Sequence, residues 1–132
     1  MSFSEEEIAY LTSQRLARIA TVDTEGQPDV SPVGFEFDGT HVFVTGGDPV
    51  KTRKFRNVRA GNRKVAIVVD DVASTDPWSP RYLRIHGEAE LVERAGPAGT
   101  RPYLKITPVL SWSCNLDGRP LGADREVHRT VH

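Results

Sequence analysis

Residues 30–45 read VSPVGFEFDGTHVFVT, and their pattern indicates the class of fold. Apolar side chains alternate along its first half, at Val33, Phe35 and Phe37, as they do on a strand with one buried face. Asp38 and the glycine that follows it are a strong signal for a tight hairpin turn. The apolar HVFVT segment after the turn supplies a partner strand, so the stretch predicts an antiparallel hairpin.

A third strand precedes this hairpin. The period-two segment LARIATVD begins at Leu16 and runs into the turn-like TEGQPD segment, so three strands form a meander. Pro32 and Gly34 weaken the second strand, because proline has no N–H to donate and glycine has no side chain to pack. Pro32 favours an edge or a bulge, and the alternative is a place where another molecule approaches the backbone.

The remainder of the chain adds further strands. KVAIVVDD is rich in β-branched residues and predicts a central strand, while PYLKITP and VLSWSC predict two short strands. VASTDPWSP is expected to be a loop, and residues 115–132 are expected to be an irregular polar tail. RYLRIHGEAELVE is the longest alternating segment. Its residues expected on one side are Leu83, Ile85, Gly87, Ala89 and Leu91.

The N-terminal segment predicts a short helix. Ser4 and Glu7 have the spacing of a capping box, and Phe3 is placed to pack onto Ile8 as a hydrophobic staple.

A second short helix is predicted after the GGDP segment. Its N-cap is Asp48, which precedes a proline, or Thr52 one turn later. Gly61 is a typical left-handed stop. Phe55 and Val58, three residues apart, are expected to face the core.

These elements indicate a mainly β protein, a six- to seven-stranded antiparallel β-barrel with two short helices, in one domain covering residues 1–132. A chain of this length buries roughly two-thirds of its unfolded surface, which is enough for one core. The single Cys114, an N-terminus unlike a signal peptide and the absence of a membrane-length apolar run predict a cytoplasmic protein.

Chemistry that depends on protein side chains alone is not evident. The four histidines show no metal-ligand spacing with Cys114 or with one another, so no metal site is expected. His86 alternates with Ile85 and is expected to point away from the core. No serine-nucleophile, Walker or Rossmann pattern occurs, so no catalytic residue is assigned and an enzyme of this sequence would depend on a cofactor.

One charged segment needs a local explanation. Residues 51–64 hold seven of the 17 basic residues and no acidic one, although the whole chain has 18 acidic residues. A solvated helix face is one interpretation. A phosphate site is another, because the KTRK segment supplies hydroxyl and cationic donors beside a helix start. Nucleic acid is disfavoured, because the rest of the chain is acidic and Phe55 is the one aromatic residue among the charges.

Three segments in this order resemble the pyridoxamine 5′-phosphate oxidase-like split β-barrels. They are LARIATVDTEGQPDVSPVGFEFDGTHVFVTG, KTRKFRNVRAGNRKVAIVVDD and DPWSPRYLRIHGEAELVE. The resemblance is closer still to the actinobacterial branch that uses the deazaflavin coenzyme F420, and it covers roughly residues 5–114. The substrate-phosphate segment at the C-terminus of pyridoxamine 5′-phosphate oxidase itself is not found, so oxidation of pyridoxamine phosphate is not expected.

The resemblance implies a homodimer whose cofactor lies in a groove between the subunits. It assigns the cofactor phosphate to Lys51, Thr52, Arg53 and Lys54. It assigns the ring to Ser31, Pro32, Val33 and Gly34, and the ribityl-phosphate region to Val44 and Thr45. Asn57 belongs to the matching K-x-x-N pattern, with helix packing as the alternative role. Trp78 is a candidate pocket wall, with capping of the core as the alternative.

The function that the resemblance implies is an F420-dependent oxidoreductase, which passes a hydride to a conjugated or quinone-like small molecule. The alternatives are an enzyme of the same fold that uses flavin mononucleotide (FMN), and a non-catalytic carrier of deazaflavin or flavin. A single phosphate does not require Arg56, Arg59 and Arg63 as well. They would face the oligoglutamate tail of F420, acidic residues of the second subunit, or solvent.

Overall fold

The computed structural model describes residues 2–45, 51–97, 99–122 and 126–132. Within these ranges the chain forms two helices and seven strands. They are α1 (Glu5–Ser13), β1 (Leu16–Val22), β2 (Pro28–Phe37), β3 (Val42–Thr45), α2 (Arg53–Arg59), β4 (Lys64–Thr75), β5 (Trp78–Gly96), β6 (Gly99–Cys114) and β7 (Val127–Val131). No helix in these described ranges is long and apolar enough to cross a membrane.

The strands form a closed antiparallel barrel. Their order is β3-β2-β1-β4-β5-β6-β7, and an additional pairing of β3 with β6 closes a ring of six strands. β7 is added to the outer side of β6. The predicted mainly β barrel with two short helices is therefore confirmed.

The hairpin predicted for residues 30–45 forms as expected. β2 and β3 pair from Gly34 opposite Thr45 to Phe37 opposite Val42. The Asp38 carboxylate accepts hydrogen bonds from the two backbone N–H groups of Thr40 and His41, at 2.9 and 2.6 Å. This aspartate satisfies the donors of the turn, which is why an Asp-Gly pair predicts it.

Pro32 lies on a locally unpaired side of β2. It is opposite Arg18 of β1, whereas the pairing of β2 with β3 begins only at Gly34. Among the described residues, the N-terminal half of β2 therefore has a partner on one side only. A proline is tolerated there because the N–H that it lacks is not needed by a second strand, and the expected edge position is confirmed.

Two predicted interruptions are wrong. β4 and β5 pair as far as Thr75 opposite Trp78, so the loop expected for VASTDPWSP is a tight hairpin. The two short strands expected in PYLKITP and VLSWSC are one strand, β6, because a bulge at Val109 accommodates Pro108 without ending the pairing with β5. Gly87 lies at this bulge, and a Cβ on it would be 2.6 Å from the Thr107 carbonyl oxygen.

The expected irregular tail also contains a strand. β7 pairs with β6 from Cys114 opposite Val127 to Leu110 opposite Val131. Its sequence, VHRTV, alternates apolar and polar residues, but it is short and exposed, and β6 supplies the edge that fixes it. Tertiary pairing therefore decides the conformation of this segment.

The core fills the barrel and extends onto both helices. The capping box of α1 forms, with Ser4 Oγ accepting from Glu7 N–H and Glu7 Oε1 accepting from Ser4 N–H. Leu83, Ile85 and Ala89 of β5 are fully buried, as expected. Leu91 lies on the same side of β5, opposite the buried Leu104, but is itself 38% exposed.

Candidate functional site

The helix α2 is attached to the barrel by its buried face. Phe55 is fully buried and Val58 is 6% exposed, so both face the core as predicted. Asn57 Nδ2 donates to Thr21 Oγ1 on β1 at 2.9 Å, and both side chains are buried. This bond supports the packing role of Asn57.

The end of α2 is fixed by its backbone. Gly61 has a φ of 105°, the left-handed stop that its sequence position predicted. Beyond it, Arg63 and Ala89 of β5 are linked in both directions, with Ala89 N–H donating to Arg63 O at 2.7 Å and Arg63 Nε donating to Ala89 O at 3.2 Å. α2 is thus held against β1 at its middle and against β5 after its end.

The start of α2 contains an unsatisfied polar group. Thr52 occupies the N-cap position but makes no side-chain capping bond, and the rival cap Asp48 lies outside the described residues. Thr52 Oγ1 is buried and has no hydrogen-bond partner in the part of the chain that the structure describes. A buried hydroxyl without a partner costs free energy. Because α2 has only seven residues, its dipole is not a strong anion site, so side chains must supply the affinity.

Lys54 follows Thr52 by two residues and is largely buried, with its Nζ 5.5 Å from the centre of the Phe55 ring. It is 8% exposed, and the described residues form no ion pair with it. Burial lowers the pKa of Lys54, and the opposing attraction of Asp29 on β2 does not offset this effect. One signal in the sequence points to Asp29, because it alternates with Ser31 and so shares a face of β2 with a residue already assigned to the site. The start of α2 therefore offers a hydroxyl and an ammonium group to an anion.

The other basic residues of the segment lie on the outside. Lys51, Arg53 and Arg56 are exposed, as are Arg59 and Arg63. These exposed basic residues form a stripe along this side of α2.

The β2 and β3 residues assigned to the ring differ in accessibility. Pro32 and Gly34 are exposed, and Ser31 is partly buried, whereas the Val33 side chain is buried in the core.

Val44 and Thr45 at the end of β3 offer little side-chain surface. Val44 is fully buried, so it can meet a ligand only through its backbone. Thr45 Oγ1 donates to Pro102 O at 3.2 Å.

Within one chain, Trp78 lies far from the other residues assigned to the cofactor. It lies at the tip of the β4–β5 hairpin, opposite Thr75, whereas α2 is beside the beginning of β4. The Trp78 side chain is 52% exposed, so the alternative that it caps the core is wrong.

Replacing Asn57 with alanine is expected to lower the free energy of unfolding by about 1–3 kcal/mol, because the buried Thr21 hydroxyl loses its partner. Urea unfolding measures this change. Thr21→Val is the matched control. The loss of unfolding free energy in the Asn57→Ala/Thr21→Val double variant should be smaller than the sum of the losses in the two single variants, by about 0.5 kcal/mol or more. Strict additivity would show that the bond contributes nothing.

No group of three or more histidine, cysteine, aspartate or glutamate side chains that could hold a metal ion occurs in the described ranges.

Comparison of the sequence with known protein families identifies the family of this chain. The family model of pyridoxamine 5′-phosphate oxidase matches residues 3–107. The chain belongs to this family. A relative from Streptomyces rimosus subsp. rimosus, 5a,11a-dehydrotetracycline/5a,11a-dehydrooxytetracycline reductase, is 46% identical over 126 residues, which are 89% of this chain and 87% of the relative. The chain is therefore an oxidoreductase of the pyridoxamine 5′-phosphate oxidase family.

Solved structures share the fold at lower identity. An F420 reductase has a TM-score of 0.64 and 23% identity, covering 83% of this chain and 98% of its own. A conserved hypothetical protein of Mycobacterium tuberculosis has a TM-score of 0.68 and 19% identity, covering 92% and 94%. These proteins thus share the barrel, and the cofactor of this chain must be argued from its own residues.

Proposed function

We propose that this oxidoreductase uses the deazaflavin coenzyme F420 to reduce a conjugated or quinone-like organic acceptor. The observation that carries the proposal is that the start of α2 holds a buried Thr52 hydroxyl without a hydrogen-bond partner among the described residues, followed two positions later by the largely buried Lys54. The Streptomyces reductase and the F420 reductase fold support it.

A cofactor phosphate fits these two side chains. Its oxygens accept hydrogen bonds from a hydroxyl and an ammonium group, and an anion offsets the cost of a buried lysine. Arg53, exposed between them in the sequence, is available as a third donor. In this proposal Asn57 is a positioning residue, because its bond to Thr21 sets where the start of α2 lies.

The choice of F420 over FMN rests on the exposed basic stripe. One phosphate needs two or three donors, which Thr52, Arg53 and Lys54 provide. Arg56 and Arg59 lie farther along the same helix and are exposed. A coenzyme with a carboxylate-rich tail would place its additional negative charges there, whereas FMN has none to place.

The ring would lie against β2, where Pro32 and Gly34 leave the backbone accessible. When bound, the reduced deazaflavin supplies the hydride. The chain's own residues bind the phosphate, orient the ring against a rigid strand and exclude water from one of its faces. No side chain is assigned a proton transfer.

The acceptor class follows the Streptomyces relative, whose name gives two dehydrotetracyclines as its substrates. A multi-ring conjugated compound of this kind is the first acceptor to test. We place the enzyme in the cytoplasm, where its buried Cys114 would remain a thiol.

A homodimer is part of the proposal, because one outer face of the barrel is apolar. We define the β1–β2–β4 face as the outward residues of Leu16–Val22, Pro28–Gly34 and Lys64–Val72. Its most exposed apolar residues are Leu16, Val22, Val30 and Val72, at 51, 36, 67 and 44%. An outer face in contact with water would carry mainly polar side chains.

The charges on the β1–β2–β4 face are largely neutralised. Arg18 and Asp70 form an ion pair, and Lys64 lies at the border of the face. A second copy of the chain fits this surface, because a two-fold interface pairs the same patch with itself.

A titration tests the cofactor. Purified protein freed of bound cofactor is expected to bind F420 with micromolar or tighter affinity and FMN at least about tenfold more weakly, measured by quenching of its two tryptophans. Tighter binding of FMN would make the protein an FMN enzyme. Failure to bind either compound would refute the proposed function. Binding of F420 without turnover of any conjugated acceptor would make it a carrier.

Replacing Val30 with glutamate is expected to convert the dimer to a monomer, because two unpaired carboxylates would be buried at the interface. Analytical ultracentrifugation measures the change. Val109→Glu is the matched control, because Val109 is 45% exposed and lies outside the β1–β2–β4 face. A Val30→Glu variant that stays dimeric would place the interface elsewhere.

A further inference from the structure

A cavity of about 560 Å³ lies beside the C-terminal end of β6. This volume is in the range of small-molecule sites. Its described lining residues belong to α1, the end of β6, the segment that follows β6, and β7 with the residue before it. None of them belongs to β2 or to the basic 51–64 segment, so the cavity is separate from the proposed cofactor site.

One wall of the cavity is held in place by hydrogen bonds to β5. Within this wall, Asn115 Nδ2 donates to Pro80 O at 2.9 Å and to Arg119 O at 2.7 Å. Leu121 N–H donates to Trp78 O at 2.9 Å. The segment after β6 is thus fixed before any ligand arrives. Such a preformed wall loses little conformational entropy on binding.

A serine hydroxyl lies at the floor of the cavity. Ser113 is 3% exposed, and it pairs with His128 of β7, so the two side chains are on the same face of the sheet. Within the part of the chain that the structure describes, no hydrogen bond is made by the Ser113 hydroxyl. Because polar groups at such depth are usually satisfied, this hydroxyl is available to a polar atom of a ligand.

The charge around the cavity is negative. Asp117 Oδ2 accepts from Arg119 Nε at 2.6 Å, so this pair is neutral. Two further carboxylates line the cavity, Glu6 and Glu126. Glu126 lies 3.8 Å from His128, which is charged only when protonated, and the described residues form no ion pair with Glu6. A bound cation would therefore be attracted to this cavity.

The cation that fits is organic, since the described residues bring together no group of three side chains able to hold a metal ion. An ammonium group needs fewer partners, because one or two carboxylates can accept its hydrogen bonds. The cavity also has apolar surface for the body of a molecule, formed by Leu116, Pro120 and Leu121.

We propose that this cavity binds a small organic amine. Its ammonium group meets the carboxylates of Glu6 and Glu126, and its apolar body packs against the wall that follows β6. A polar atom at the inner end of the ligand bonds to the Ser113 hydroxyl. The site goes beyond the proposed function and does not depend on F420.

Two dyes with the same three fused rings test the site. At neutral pH proflavine is a cation, whereas acridine is neutral. Isothermal titration calorimetry of the whole protein without F420 is expected to give one proflavine site per chain. The affinity for proflavine should exceed that for acridine about fivefold or more, because only proflavine is attracted by the carboxylates.

Removal of the two carboxylates should abolish this preference. In the Glu6→Gln/Glu126→Gln variant the ratio of the two affinities should fall to about twofold or less, while the affinity for acridine stays unchanged. The matched control is Glu88→Gln/Glu90→Gln, which removes two exposed carboxylates from β5, outside the cavity. This control should keep the wild-type ratio. An equal fall in both double variants would overturn the assignment.

A second variant fills the cavity. Gly122 lines it, and a Cβ on this residue would meet nothing within 4 Å, so a larger side chain fits without strain. Gly122→Phe should weaken the binding of both dyes about tenfold or more. Unchanged binding in this variant would place the dyes elsewhere and overturn the assignment.

The wild-type protein provides the remaining outcomes. Equal affinity for the two dyes overturns the assignment, as does failure to bind proflavine. Neither result bears on the start of α2, so the proposed function would stand. Failure of the protein to bind F420 would overturn the proposed function and leave the amine site standing.

Discussion

Replacing Phe55 with alanine is expected to lower the free energy of unfolding by about 3–5 kcal/mol. Phe55 is among the largest fully buried side chains and is part of the main core cluster. It belongs to a helix of seven residues, which is too short to be stable alone and depends on packing against the barrel. The truncation therefore removes apolar contacts from the core and detaches α2.

Urea unfolding followed by circular dichroism at a fixed protomer concentration measures this loss, because dimerisation would link stability to concentration. Arg56→Ala is the matched control: it alters the adjacent, exposed residue and should change stability by about 0.5 kcal/mol or less. A loss under about 1 kcal/mol for Phe55→Ala would mean that α2 is not part of the cooperative core. The affinity for F420 should fall in the same variant, since the start of α2 would no longer be fixed.

Replacing Lys54 with alanine is expected to weaken F420 binding by about 1–3 kcal/mol, or roughly 5- to 150-fold, because a charged hydrogen bond to phosphate is lost. Lys54→Met keeps most of the apolar stem and should weaken binding similarly, which separates charge from packing. Arg129→Ala is the control, since this exposed arginine lies on β7, outside the basic segment of α2. Equal effects of Lys54→Ala and Arg129→Ala would contradict a phosphate site at the start of α2.

The pH dependence of binding tests the same residue. Burial lowers the pKa of Lys54 in the free protein. A bound phosphate favours the ammonium form and so raises this pKa again. Affinity should therefore be constant at pH values below the lowered pKa and fall as the pH rises through it. The Lys54→Met variant should lack this fall, and isothermal titration calorimetry over a pH series measures both proteins.

Much of the fold could be predicted because turns, helix caps and helix stops depend on short runs of consecutive residues. The Asp-Gly turn, the capping box at Ser4 and Glu7, and the stop at Gly61 each depend on a few consecutive residues, and all are present in the structure. The apolar positions of α2 were also predictable, because a spacing of three residues fixes one helix face. These features would hold in any surroundings that let the segments form.

Other features required partners that are distant in the sequence. Pro108 suggested a break, but β5 pairs across it and a bulge absorbs the irregularity. The segment Val127–Val131 is too exposed to be recognised alone and becomes a strand because β6 offers a free edge. Trp78 was expected in a loop, and pairing with Thr75 made it the tip of a hairpin instead.

The barrel, the helix with the basic cluster and the family membership all follow from the order of the residues. The burial of the Thr52 hydroxyl and of most of the Lys54 residue, and the exposure of Trp78 at the opposite end of β4, arise only in the folded chain. The reason is physical: periodicity and turn chemistry are properties of neighbouring residues, whereas desolvation and the distance between two ends of a strand arise only when separate segments pack.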